Sequence, residues 1–176
     1  MSKQPRSLKA RALQLLAQRE QSRVELRRKL LAHAMAEAAA AENADGPTED
    51  ADPARQRADA EAQVEDMLAW LEANRFLSAE RFAESRVNAR SERYGNLRIR
   101  FELAQHEVSL TPEAEQALVE SELARARAVC ARKFRSPPDS ATERARRARF
   151  LGARGFSADV IRRVLREASR PARGNA

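Results

Sequence analysis

Wherever large apolar residues recur in this sequence they recur at the spacing of an α-helix, and nearly every such run opens on a capping residue. Leu8, Ala12, Leu15 and Leu16 fall at i, i+4, i+7 and i+8, one stripe along a helix. Ser22 caps a second helix, with Glu25 placed to complete a capping box and Leu26 and Leu30 on its inner face. Asp52-Pro53 is an N-cap/N1 pair opening a helix that carries Val64, Met67, Leu68 and Leu71, with Trp70 beside them. Ser78 caps a helix bearing Phe82, Ala83 and Val87. Asn96 starts the next, with Leu97, Phe101, Ala104 and Val108 on one face. Thr111-Pro112 opens a long helix with Val119, Leu123, Ala126 and Cys130 aligned. Ser140 and Glu143 form another capping box, and Ser157 caps a last helix with Val160, Ile161, Val164 and Leu165 inward. No segment alternates as a strand does, so the class is all-α.

These helices cannot share one thick core. Apolar residues are 43% of the 176, but 36 of them are alanine and only 39 are larger, enough for several thin cores. The clear periodicity and a net charge of +7 exclude disorder for most of the chain. There is no run of 18 apolar residues and no apolar signal core at the N-terminus, so neither a membrane span nor secretion is expected. A single cysteine rules out an internal disulfide framework and suits a cytoplasmic location.

An internal repeat organises the helices. Arg19-Glu20-Gln21-Ser22, Arg93-Tyr94-Gly95-Asn96 and Arg154-Gly155-Phe156-Ser157 share a layout: a basic helix, a turn opened by arginine, a cap three residues on, then another basic amphipathic helix. A third helix follows in the first two copies, and the last copy is truncated. We therefore expect a tail over 1–5, repeat 1 over 6–75 with an acidic loop at about 35–52, either throughout or after a helical extension through the alanines, repeat 2 over 76–135, repeat 3 over 139–170 and a tail over 171–176. Units this small must stack on neighbours, which predicts an elongated, curved array.

The charge is segregated. Residues 1–33 carry a net +7, 34–66 a net −8, 67–139 a net +1 and 140–170 a net +6. Basic ends suit a polyanion or an acidic protein surface; Arg-rich helices that are merely well solvated are the alternative. The second helix of each repeat offers Arg23, Arg27, Arg28 and Lys29, then Arg98 and Arg100, then Arg162 and Arg163. Such an inventory binds phosphates or carboxylates and has little to read base edges, so sequence-specific recognition by a helix-turn-helix is not expected. Arg19, Arg93 and Arg154 recur ahead of the caps, either as partner contacts or as donors to the carbonyls that end the preceding helix. Trp70, Tyr94 and Phe156 sit by turns or on stripes and read as packing rather than as base-stacking platforms. His33 and His106 stand without the spacing of a metal site, and Cys130 lies on an inner stripe. With no glycine-rich phosphate loop and no nucleophile elbow, neither a catalytic centre nor a cofactor is expected.

The run from Ala12 to Leu30, which opens ALQLLAQREQS and carries Arg19-Glu20, Ser22, Glu25-Leu26 and Lys29-Leu30, resembles the signature of the RecX family. Ser78-Ala79-Glu80-Arg81-Phe82-Ala83 is similar to the opening of that family's second repeat, and Tyr94-Gly95 with Arg98-Ile99-Arg100-Phe101-Glu102-Leu103 to its central motif. Phe150-Leu151-Gly152-Ala153-Arg154-Gly155-Phe156-Ser157 resembles its closing motif. The resemblance spans residues 8–168. It implies tandem three-helix repeats and a monomeric, non-enzymatic regulator that binds in the groove of the RecA–DNA filament. Such a regulator limits filament extension, ATP hydrolysis and strand exchange, and meets single- or double-stranded DNA as part of the filament. Direct, sequence-nonspecific DNA binding is the alternative. Ser78-Ala79 replace the family's paired acids, Ala153 replaces the first of two closing arginines, and 35–52 is similar to an insertion.

Overall fold

The computed structural model describes residues 7–45 and 52–168. Among them are eight α-helices and no strand: α1 (Leu8–Gln18), α2 (Arg23–Asp45), α3 (Pro53–Ala73), α4 (Ala79–Ser91), α5 (Asn96–Ala104), α6 (Pro112–Lys133), α7 (Ala141–Gly152) and α8 (Ala158–Ala168). The chain divides into two compact units, Met1–Phe82 and Ala83–Ala176, with the boundary inside α4.

In the first unit α1, α2 and α3 close on Ala12, Leu15, Leu26, Leu30, Val64 and Leu68, all buried. The Ser22 hydroxyl accepts from the Glu25 amide at 3.1 Å and Asp52 Oδ1 from the Ala54 amide at 3.0 Å, so two of the expected caps start their helices. Gln21, buried with Ser22, donates from Nε2 to the Leu15 carbonyl at 2.8 Å and so satisfies an orphan acceptor at the end of α1. The Trp70 ring stacks on Phe76 with centroids 5.6 Å apart, and Lys9 Nζ lies 3.9 Å from its centroid, which makes it a packing residue. Of the two readings of the stretch at about 35–52, the alanines take the helical one: α2 runs to Asp45, so a loop beginning at 35 is corrected. The MAEAAAAENAD stretch is rich in the strongest helix formers, and its propensity carries the helix up to the Gly46-Pro47 break. Residues 46–51 of that loop lie outside the described residues.

In the second unit Ala126, Val129 and Cys130 of α6 meet Leu151 of α7, Phe156 of the following turn, and Val160 and Val164 of α8. Here α7 and α8 close their apolar sides on the C-terminal half of α6. The Thr111, Ser140 and Ser157 hydroxyls accept from the amides of Ala114, Glu143 and Val160 at 3.3, 3.1 and 3.4 Å, as their positions predict.

Three expected helix details differ. α5 buries Ile99 and Leu103 and turns Leu97 and Phe101 outward, at 56% and 61% exposure, opposite to the stripe read from the sequence. On α6 the buried positions are Leu118, Glu122, Ala126, Val129 and Cys130, and Val119 faces out. Gly95, not Asn96, is the N-cap of α5, and Asn96 is buried as its first residue. A nine-residue helix with two apolar stripes has no local preference between them; α5 is rotated by what holds its N-terminus, described next.

A candidate anion-binding groove built from two repeat turns

The turns of the second and third repeats meet backbone to backbone. The Gly95 amide donates to the Arg154 carbonyl at 2.9 Å and the Leu97 amide to the Gly155 carbonyl at 3.0 Å. Only glycines permit this approach. A Cβ on Gly95 would lie 2.3 Å from the Gly155 carbonyl oxygen, while Gly155 has φ +78° and would press a Cβ to 2.6 Å from the Arg98 nitrogen.

Glu122 of α6 locks the pair. Its Oε1 accepts the Asn96 amide at 3.0 Å and the Ser157 amide at 3.1 Å, and its Oε2 accepts the Ser157 hydroxyl at 3.0 Å. Asn96 and Ser157 occupy the same place in their repeats, so one buried carboxylate serves the positive N-terminal ends of two equivalent helices. One turn further along α6, Arg125 donates to the carbonyls of Tyr94 (2.8 Å), Leu118 (3.1 Å) and Ser91 (3.3 Å), and to Asn96 Oδ1. Burial pulls the Arg125 pKa below its ordinary value, and the charge of Glu122 opposes that shift.

This arrangement brings Arg93 and Arg154, the repeat-equivalent arginines, to one groove of about 440 Å³ that Arg132, Lys133, Tyr94 and Phe150 also line. The Arg154 guanidinium sits 3.9 Å from the centre of the Phe150 ring. Arg132 is tethered by a 2.6 Å hydrogen bond from Nη2 to the Glu92 carbonyl. Arg93 and Lys133 are exposed and make no ion pair among the described residues. Two positioned cations and two free ones thus share one concavity, where their mutual repulsion is relieved by an anion.

The other residues named from the sequence are distributed differently. Arg23 bonds Glu65 and Glu72, both at 2.6 Å, and Arg27 bonds Glu65 at 2.5 Å. The hydrogen bond from Arg27 is the main reason the Glu65 carboxyl lies below its usual range. Arg19 and Lys29 both reach Glu25, Lys29 at 2.9 Å. Burial disfavours the Glu25 carboxylate, but hydrogen bonds from those two cations outweigh it and hold its pKa at about 2. Arg98 pairs with Glu102 at 3.3 Å, Arg100 with Glu115 and Arg162 with Asp159. Arg28 and Arg163 are exposed and make no ion pair among the described residues. Among the described residues the guanidinium groups of Arg19, Arg93 and Arg154 do not bond the carbonyls of the preceding helix. At α4 that work falls to Arg125, and at α1 to Gln21.

Sequence reasoning missed Arg132, Lys133, Arg125 and Glu122. The one signal for Glu122 is its position, an acid at i+4 on a stripe that also holds Leu118 and Ala126. Cys130 is buried, and its thiol pKa is pushed up by that burial. No three His, Cys, Asp or Glu side chains among the described residues are grouped to hold a metal ion, and no helix among them is long and apolar enough to cross a membrane.

Fold and site together define an all-α protein of three-helix repeats whose most organised surface is cationic. Residues 120–165, from within α6 into α8, match the family model described as RecX, third three-helix domain. The chain is 43% identical over 170 residues to the regulatory protein RecX of Ralstonia nicotianae, covering 96% of this chain and 92% of that one. It is 42% identical to that of Herbaspirillum seropedicae, over 96% of this chain and 95% of the other. The crystal structure of RecX from Lactobacillus salivarius shares the fold, with a TM-score of 0.59 at 18% identity over 92% of this chain and 94% of that one. The chain belongs to the RecX family of regulatory proteins.

Proposed function

We propose that this protein is a non-enzymatic, cytoplasmic regulator that binds the RecA–DNA filament and lowers recombinase activity: filament extension, ATP hydrolysis and strand exchange. Family membership supports a regulatory role. The observation that carries the reading is the convergence of Arg93, Arg132, Lys133 and Arg154 on one groove, a surface suited to a polymer that presents both acidic protein and phosphate. The ion-paired arginines of α2 are compatible with the same role, because exposed pairs contribute about 1 kcal/mol or less and exchange readily for a partner's carboxylates. Multivalent contact along a polymer needs no active site.

Co-sedimentation tests binding. The full chain should pellet with RecA filaments assembled on single-stranded DNA and stay in the supernatant with RecA alone, and a chain found in the supernatant in both cases rejects the reading. Direct, sequence-nonspecific DNA binding without RecA is the second reading. It is favoured by the same cation excess, and pelleting with DNA alone to the same extent would select it.

A further inference from the structure

We infer that copies of this chain join head to tail, the apolar ridge of α5 and α6 on one copy seated in an arginine-walled concavity of α7 and α8 on the next. The contact goes beyond the filament reading and stands without it.

The ridge is apolar in the middle and acidic around it. Three of the four large apolar side chains that stand exposed among the described residues lie on it: Leu97, Phe101 and Val119. The fourth, Phe76, is stacked on Trp70. Leu97 and Phe101 are one turn apart on the outer side of α5. Hydrogen bonds and ion pairs tie α5 to α6 from Asn96 to Glu122 and from Arg100 to Glu115, and Val119 lies between those two acids on α6. Residues 101–122 hold six glutamates and no lysine or arginine. Glu102 and Glu115 pair with arginines of the same unit, and Glu122 serves the two turns. Glu107, Glu113 and Glu120 are exposed and make no ion pair among the described residues. Such a face repels phosphate and acidic protein alike. It suits a partner that is apolar at the centre and basic at the edge.

The same unit carries that complement. Arg144 of α7 and Arg162, Leu165 and Arg166 of α8 line a concavity of about 480 Å³. The aliphatic stems of the arginines and the Leu165 side chain make its walls, so an apolar interior lies under a cationic rim. Arg162 turns to Asp159, while Arg144 and Arg166 are exposed and make no ion pair among the described residues. The concavity has room for a phenyl ring, and the 61% exposure of Phe101 means that the chain's own ring does not fill it. A second copy supplies the ring, and its acidic rim meets Arg144 and Arg166. Ridge and concavity are different surfaces, so each contact leaves one of each unused, and copies add in an open row rather than closing as a dimer. Between free chains so small a contact is weak. Copies held side by side on a polymer make it at a much higher effective concentration.

Sedimentation equilibrium of the full chain at low salt, without RecA or DNA, tests this. The average mass should rise with concentration up to the solubility limit, pass the dimer without levelling, and fall when salt is added. Leu97→Gln/Phe101→Gln removes the ridge, and Arg144→Glu/Arg166→Glu reverses the rim of the concavity. All four residues are exposed, so both variants should melt as wild type does. Each alone should associate at least about tenfold more weakly than wild type. Mixed in equal amounts they should form a dimer and nothing larger, because one retains the concavity and the other the ridge. The mixture also shows that both variants are folded, since each must supply an intact surface. A wild-type chain that keeps the monomer mass at every concentration overturns the inference, as does a mass that levels at the dimer or a mixture that fails to associate. A monomeric chain whose ridge instead captures oligo-lysine, with capture lost in Leu97→Gln/Phe101→Gln, overturns it too, since the ridge would then take a different basic partner. Co-sedimentation with the filament can succeed or fail independently of these results.

Discussion

Replacing Glu122 by alanine should destabilise the chain by about 3–5 kcal/mol, the cost of removing one member of a buried, charge-compensated set. Three donors lose their acceptor at once, the amides of Asn96 and Ser157 and the Ser157 hydroxyl, in a place where Glu122 is only 5% exposed and water does not readily replace it. Arg125, already half-buried, also loses the charge that offsets its desolvation. Urea unfolding of Glu122→Ala against wild type measures the effect. Glu122→Gln separates its parts, because the amide oxygen still accepts both N–H groups while the charge is gone, and it should cost less than alanine. A change below about 0.5 kcal/mol for the alanine variant, the range of ordinary surface substitutions, would show that the two helix starts do not depend on this carboxylate.

Gly95→Ala should be nearly as damaging, at about 3 kcal/mol, because a new methyl cannot be accommodated by any side-chain movement. The atoms it meets are backbone, the Gly155 carbonyl oxygen and the Phe156 nitrogen at 2.3 Å, so the two turns must separate. Separation breaks the Gly95–Arg154 and Leu97–Gly155 hydrogen bonds and withdraws Arg93 from Arg154. The variant should therefore lose thermal stability and also weaken whatever binds the groove. The comparison with Gly152→Ala is informative: a Cβ there meets only the Ile161 Cδ1 at 3.9 Å, an ordinary contact, so that variant should melt close to wild type. Equal melting of Gly95→Ala and wild type would contradict the turn-to-turn contact.

What could be read from the sequence follows the range of the interactions. Caps act within three residues, and Ser22, Asp52, Ser78, Thr111, Ser140 and Ser157 all accept the backbone amide that their positions predict. The inner faces of α1, α2 and α8 were legible because each has one apolar stripe. α5 has two, and the choice between them is made by Glu122, 26 residues beyond Asn96, and by Gly155 in another repeat. Tertiary contacts of that kind leave no local mark. The same reason hides Arg132 and Lys133, which look like ordinary C-terminal helix cations until α4 and α7 are packed beside them. The alanines after Met35 are ambiguous for a different reason: the charges and the Gly46-Pro47 break suit a loop, while propensity extends the helix to the residue before the break. Arg93 and Arg154 were identified by their repeat positions, and the structure brings them together.

The regulator reading is tested most directly by RecA ATP hydrolysis on single-stranded DNA, titrated with the full chain and with its Arg93→Gln/Lys133→Gln variant. Hydrolysis should fall with dose of the wild-type chain and fall markedly less with the variant. Hydrolysis that holds at its starting rate across the wild-type titration would contradict that reading.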